Sequence, residues 1–261
     1  MLLGYNTNGF AHHRLEDALV ILQSLGYQSV AYTVDHAHPP PATMPLPCVV
    51  ETGARFLLDP WHKHQPTLLS PDPQPRRRFL RQCIELAAQW PPHVVSLWSG
   101  AVPEGQARDE SQLLARLRDE LLPLLDAAQD RGVRLAFEPE PGMFIDTMAR
   151  YEQLFECLAH PAFGLTLDVG HLHCLGEGPI PAIIERWQHI LWNVHIEDMI
   201  AGIHDHRMFG EGEIEFPPIL DALRQIGYQG GVHVELSRHS HDAVEVARRS
   251  LSFLQTMGMN I

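Results

Sequence analysis

A chain of 261 residues, 45% of them hydrophobic, has apolar surface for one large core, and its formal net charge of −13 argues against nucleic acid as a partner, because that affinity rests on neutralising phosphates. No run reaches the roughly 18 apolar residues of a membrane span, and Met1–Asn6 has neither the basic start nor the apolar stretch of a signal peptide, so no membrane partner and a cytoplasmic location are expected. Cys48, Cys83, Cys157 and Cys174 are scattered without a C-x-x-C spacing, which excludes a zinc knuckle and a disulfide framework and predicts free thiols.

Eight short apolar runs read as β-strands: Leu2–Asn6, Ser29–Val34, Cys48–Thr52, Val94–Trp98, Arg134–Glu138, Gly164–Asp168, Leu191–Ile196 and Gly231–Leu236. Between them, Leu15–Leu25 spaces its apolar residues as a helix and stops at Gly26. Phe79–Gln89, Leu113–Asp130, Tyr151–Leu158, Ile180–Trp187 and Pro217–Ile226 repeat the pattern. Strand followed by helix over the whole length predicts a single (β/α)8 TIM barrel spanning 1–261, with its site at the C-terminal ends of the strands. An open doubly wound sheet is the alternative, but no G-x-G-x-x-G opens a helix; Gly210-Glu211-Gly212 lacks the third glycine.

One connection departs from the rule. Five prolines fall in the nine residues Pro39–Pro47, so the helix between the second and third strands is expected to be missing. The flank it leaves would be covered by the proline segment itself or by a second subunit of a homodimer. After the third strand, Phe56–Ser70 is a long loop at the catalytic end, holding Trp61, His62, Lys63 and His64. The run Arg76-Arg77-Arg78 that follows Pro71-Asp72-Pro73 reads as a solvated first helical turn.

Glu138, Asp168, His195 and Glu235 each fall at or near the end of an apolar run. Three carboxylates and an imidazole brought to one end of a barrel repel and desolvate one another unless a cation neutralises them, so together they make a divalent-metal ligand set. Oxygen donors with one imidazole suit Mn²⁺, Mg²⁺ or Co²⁺, with Zn²⁺ also accommodated. Glu140, two residues past Glu138, is the rival ligand or a substrate contact. In Leu167-Asp168-Val169-Gly170-His171 a glycine turn aims Asp168 at the metal and His171 at the metal or substrate. A lone strand histidine is more often a satisfied core residue, but the four positions together make chance a poor explanation.

The loop His204-Asp205-His206-Arg207 adds two histidines as a further ligand or as substrate contacts, and an arginine whose planar fork suits a substrate oxygen or carboxylate. Trp98, closing the fourth strand, is a further substrate contact. Ser237-Arg238-His239-Ser240-His241 stands where barrels often hold phosphate, a solvated loop being an equal account.

The chain resembles the xylose isomerase-like barrels, specifically the sugar phosphate isomerase/epimerase group, over nearly its whole length. The motifs are Leu-Ala-Phe-Glu138, Leu-Asp168-Val-Gly-His171, Val-His195-Ile-Glu-Asp198, Arg207 before Gly-Glu-Gly-Glu-Ile, and His-Val-Glu235. The resemblance implies that Glu138, Asp168, His195 and Glu235 bind one divalent ion, manganese first, that the two glutamates exchange protons with the substrate, and that His171 and Arg207 contact it. The related apurinic endonucleases carry Asp-x-His where this chain has His204 and His206, and histidines on the third and fourth strands where it has Trp98 and none. That departure and the acidic charge count against a three-metal nuclease site.

The expected reaction is isomerisation or epimerisation of a small polyhydroxy carbonyl compound: a keto-sugar, its phosphate or a cyclitol ketone. The metal would stabilise an enediolate while one of Glu138 and Glu235 removes a carbon-bound proton and the other returns one. The rivals are a cyclitol-ketone dehydratase, a metal-binding barrel without turnover and a phosphodiester hydrolase.

Overall fold

The computed structural model describes residues 1–103 and 109–259. In chain order come β1 (Leu2–Asn6), α1 (Leu15–Leu25), β2 (Ser29–Thr33), β3 (Cys48–Glu51), α2 (Gln74–Ala87), β4 (Val94–Leu97), α3 (Glu110–Gln129), β5 (Arg134–Phe137) and α4 (Met148–Leu158). Then follow β6 (Phe163–Asp168), α5 (Val169–Cys174), α6 (Ile180–Trp187), β7 (Leu191–Ile196), β8 (Asp198–Ile200), β9 (Ile203–Arg207), α7 (Phe216–Gln225), β10 (Gly231–Val234) and α8 (Ala243–Thr256). Strands β1 to β7 and β10 pair in parallel in a closed barrel, with β1 and β10 sealing it from Leu2 against Gly231 to Tyr5 against Val234. This is the eightfold barrel that the alternation of strand and helix predicts.

Side chains alternate across each strand, so one set faces the helices and the other fills the barrel. The outward set, from Leu3 and Tyr5 through Val232 and Val234, joins the helices in one large apolar core. The inward set is layered. Val49, Val94 and Ala136, with Trp192, form a small apolar plug. Above it lie the buried polar residues Ser29, Ser96, Thr166, Asn193 and His233, and above those the charged residues Glu51, Glu138, Asp168 and His195. Gly4 belongs to this packing: a Cβ there would stand 2.2 Å from the His233 ring, so only glycine lets that histidine lie inside the barrel.

Several strands stop one or two residues earlier than the sequence suggests; Asp168 and His195 pair in register within β6 and β7, while Glu138 and Glu235 lie just past the ladder. Each keeps one last backbone bond: Glu138 N donates to Leu97 O at 2.8 Å, and Glu235 N to Ile196 O at 3.2 Å. Residues 34–47 carry neither helix nor strand. Pro39 and Pro40 line that flank with Leu57, Phe79 and Leu86, around an apolar cavity of about 530 Å³.

Helix α2 begins at Gln74, a turn before the expected Phe79, with Pro75 in its first turn where the missing N–H costs nothing. The solvated reading of the arginine run fails for Arg76, which is buried and donates to the carbonyls of Thr52, His64 and Pro66. It thereby fastens the long loop after β3. The short helix α5, the β8–β9 hairpin and α8 lie outside the sequence-derived elements. Among the described residues no helix is long and apolar enough to cross a membrane.

Candidate metal centre

The four residues singled out in the sequence meet at the barrel mouth. His195 Nδ1 lies 2.9 Å from Glu138 Oε1, 3.0 Å from Glu235 Oε2 and 3.9 Å from Asp168 Oδ2. The four residues offer ligand atoms that all lie within 4.8 Å of one another, close enough to be gathered round one divalent ion. Asp168 Oδ1 accepts from His171 N at 2.8 Å, capping α5, and its Oδ2 is left buried without a hydrogen-bond partner among the described residues. Asn8 Nδ2 donates to Glu235 Oε1 at 2.7 Å and fixes that carboxylate. Unsatisfied buried oxygen next to three acids and an imidazole fits a hard or borderline cation.

Charge is distributed unevenly over these groups. Burial pushes the Glu138 carboxyl up to about 8, and His195 only partly opposes it. Burial also works against ionisation of Glu235, but the charge and hydrogen bond of His195 outweigh it and hold that carboxyl well below its usual range. Asp168 is lowered too, burial being overcome by His171, His206 and His195. His195 itself, though disfavoured by burial, is raised by Glu138, Glu51 and Glu235.

Beside this centre sits a second group. His171 Nε2 lies 3.1 Å from His204 Nε2 and 3.7 Å from Glu140 Oε2, and the His204 and His206 rings are 5.4 Å apart between centroids. A polar cavity of about 470 Å³ opens over both groups; its walls include Trp98, Glu138, Glu140, His195, His204, His206 and Glu235. His171 lies behind the wall, against Glu138 and Asp168. Arg207 does not line the cavity; it lies in β9 beside Asp205, 3.5 Å away. Among the described residues, the cationic side chains on the cavity wall are Arg55, Lys63 and Arg238.

Three further residues matter to which the sequence reading gave no role, Glu197 and Asp198 having entered it only within the Val-His195-Ile-Glu-Asp198 motif. Glu51, at the end of β3, places Oε1 3.0 Å from His195 Nε2. Its signal was the one that marked Glu138, a carboxylate ending an apolar strand. Glu197, two residues past His195, is fully buried with both oxygens unpaired, and burial and neighbouring Asp168 raise its carboxyl far above the usual range. Asp198 accepts backbone N–H bonds from Met199, Gly210, Gly212 and Ile214. The Gly-Glu-Gly motif is thus a nest folded round a carboxylate. A Cβ on Gly212 would stand 2.2 Å from Asp198 Oδ1.

A sequence model of the xylose isomerase-like TIM barrel matches residues 19–257. The chain belongs to that family. Among relatives of this xylose isomerase-like barrel, L-ribulose-5-phosphate 3-epimerase UlaE of Salmonella typhi is 27% identical over 248 residues, covering 89% of this chain and 86% of the relative. Inosose dehydratase of Lacticaseibacillus casei is 28% identical over 166 residues, 56% of this chain, and the match spans little more than half of that protein's length, 55%. A solved L-ribulose 3-epimerase superposes with a TM-score of 0.76 over 98% of this chain and 94% of its own, at 19% identity, a likeness of fold.

Proposed function

We propose that this chain is a divalent-metal-dependent isomerase or epimerase of a small polyhydroxy carbonyl compound, a keto-sugar, its phosphate or a cyclitol ketone. The observation that carries the reading is the pair of carboxylates, Glu138 and Glu235, converging from separate strands on His195 Nδ1 at 2.9 and 3.0 Å beneath an open polar cavity. The epimerase relatives support it.

Glu138, Asp168, His195 and Glu235 would hold the ion, Mn²⁺ first, with Mg²⁺, Co²⁺ and Zn²⁺ within the same donor chemistry. When bound, the ion supplies a Lewis acid that polarises the carbonyl and favours negative charge on its oxygen. The protein supplies the proton transfers. One of Glu138 and Glu235, the latter steadied by Asn8, serves as a base toward the carbon-bound proton, and the other returns one from across the site. The cavity over them accommodates a monosaccharide-sized molecule, with Arg55, Lys63 and Arg238 for an anionic group and Trp98 for an apolar face.

The test is solvent exchange. Incubated in deuterated buffer with Mn²⁺ and a panel of ketoses, ketose phosphates and inososes, the wild type is expected to introduce deuterium next to the carbonyl. Glu235→Gln should lose that exchange by at least about a hundredfold while keeping the wild-type circular dichroism. Undiminished exchange in the variant removes Glu235 from the chemistry.

The inosose dehydratase relative favours a second reading. A dehydratase begins with the same proton abstraction and then expels a β-hydroxyl, which the neighbouring group His171, His204 and His206 could hydrogen-bond. Loss of water from the product, read by mass spectrometry, decides between them.

A further inference from the structure

We infer that Glu51 is a positioning residue for the metal ligand His195, and that a buried polar chain running down the barrel interior fixes which nitrogen of that ring is free for the ion. The inference rests on the metal reading above.

The chain can be followed atom by atom. Ser29 Oγ lies 3.0 Å from His233 Nε2; His233 Nδ1 lies 2.8 Å from Asn193 Oδ1; Asn193 Nδ2 lies 3.0 Å from Glu51 Oε1; and Glu51 Oε1 lies 3.0 Å from His195 Nε2. All five side chains are buried. They come from four strands, β2, β3, β7 and β10, so the arrangement is a property of the closed barrel and of no single segment.

Hydrogen-bond roles along it are determined by the one group that only accepts. The Glu51 carboxylate has no hydrogen, so both nitrogens facing Oε1 must donate to it. This sets Asn193 with its amide nitrogen toward Glu51 and its carbonyl toward His233. That carbonyl needs a donor, which makes His233 Nδ1 the protonated nitrogen and leaves its Nε2 to accept from the Ser29 hydroxyl. At the other end, His195 Nε2 carries a hydrogen toward Glu51. The lone pair available to a metal is then on Nδ1, the nitrogen aimed at Glu138, Asp168 and Glu235. If Nε2 had instead been the free nitrogen, its lone pair would face the Glu51 carboxylate at 3.0 Å, with Asn193 Nδ2, at 3.1 Å, the one donor near it and already 3.0 Å from that same carboxylate oxygen. A carboxylate behind a metal-bound imidazole both orients the ring and strengthens it as a donor, and losing such a partner typically weakens metal affinity 10- to 100-fold.

The experiment titrates chelator-stripped protein with Co²⁺, reading affinity by calorimetry and ligand geometry from the visible absorption of the bound ion. Glu51→Leu is expected to bind Co²⁺ about 10- to 100-fold more weakly with an altered band, and Glu51→Gln, which keeps an acceptor oxygen, to stay within about fivefold of wild type with the wild-type band. A folded Glu51→Leu that binds as tightly as wild type overturns the inference. Should Glu51→Leu not fold, long-range ¹H–¹⁵N spectra of the Zn²⁺-loaded wild type give the answer directly. A His195 ring protonated at Nε2 supports the assignment, and one protonated at Nδ1 overturns it. A wild-type chain that takes up neither ion is a different result: it overturns the metal reading itself.

Discussion

In the middle of the barrel the side chains of Ser29, Ser96, Thr166, Asn193 and His233 satisfy one another, whereas two residues further along the strands Asp168 Oδ2 and both oxygens of Glu197 are buried with no hydrogen-bond partner among the described residues. The strands, the alternation and the burial are the same in both layers. What differs is completeness: buried polar groups in folded proteins are normally paired, so the middle layer is finished structure and the upper one is arranged for something to be added. The middle layer also has charge in balance, while the upper one gathers Glu138, Asp168 and Glu235 round a single imidazole. On physical grounds the two layers should therefore answer differently to substitution.

The largest effect is expected at Asp168. Protein purified without chelator should contain about one Mn, Co, Mg or Zn per chain, and Asp168→Asn should lower that to less than about a tenth. The amide keeps an oxygen to accept from His171 N, so the cap on α5, worth about 1 kcal/mol, survives and the loss reports on the ligand alone. Elemental analysis measures it. Full metal content in the variant would erase the distinction between the layers, and two or three ions per wild-type chain would turn attention to hydrolase chemistry.

Much of this was legible in the residues. The eight barrel strands announce themselves because each is a short β-branched or apolar run; Glu138, Asp168 and Glu235 stand out because a carboxylate ending such a run is costly to bury alone, and His195 because it stands with them. The same logic reaches Glu51, but its partners Asn193 and His195 lie more than a hundred residues away and only barrel closure brings them together. Arg76 was hidden by its neighbours: three arginines in a row look solvated on average, and which one points inward depends on where α2 begins. The β8–β9 hairpin gave no strand signal because most of its second strand is polar and partly exposed. Arg207 has the right residue type in the right stretch of chain, yet the hairpin carries it away from the cavity wall.

A smaller effect is expected in the finished layer. Thr166 Oγ1 donates to Ser96 Oγ at 3.0 Å and lies 3.5 Å from Asn193 Nδ2. Thr166→Val conserves shape and removes only the hydroxyl, leaving buried Ser96 short of a partner, at a cost of about 1–2 kcal/mol and roughly 2–6 °C in Tm. Metal content should not change. Loss of metal in this variant with little change in Tm would mean that the middle layer tunes the site as strongly as the ligands do, and that division between the layers would have to be redrawn.

The smallest effect carries the comparison out to the rim, where pairing and charge are balanced differently again. His64 is packed against Trp98 and donates from Nδ1 to Gly53 O at 2.7 Å; burial pushes its pKa down to about 4, with the cations Lys63, Arg76 and Arg55 adding to the effect. Since the unfolded chain takes up this proton near 6.5 and the folded chain resists it until about 4, stability contributed by neutral His64 is whole above pH 6.5 and is lost as pH falls toward 4. Asparagine at this position keeps a donor toward Gly53 and cannot titrate. His64→Asn should therefore flatten the pH dependence of unfolding between about 4 and 6.5 by up to one proton, about 1.4 kcal/mol per pH unit, as read from urea midpoints across that range. If the slopes of variant and wild type coincide, the histidine at the rim is as free to charge as an exposed one, and the low polarity that the upper layer requires of its surroundings does not extend that far.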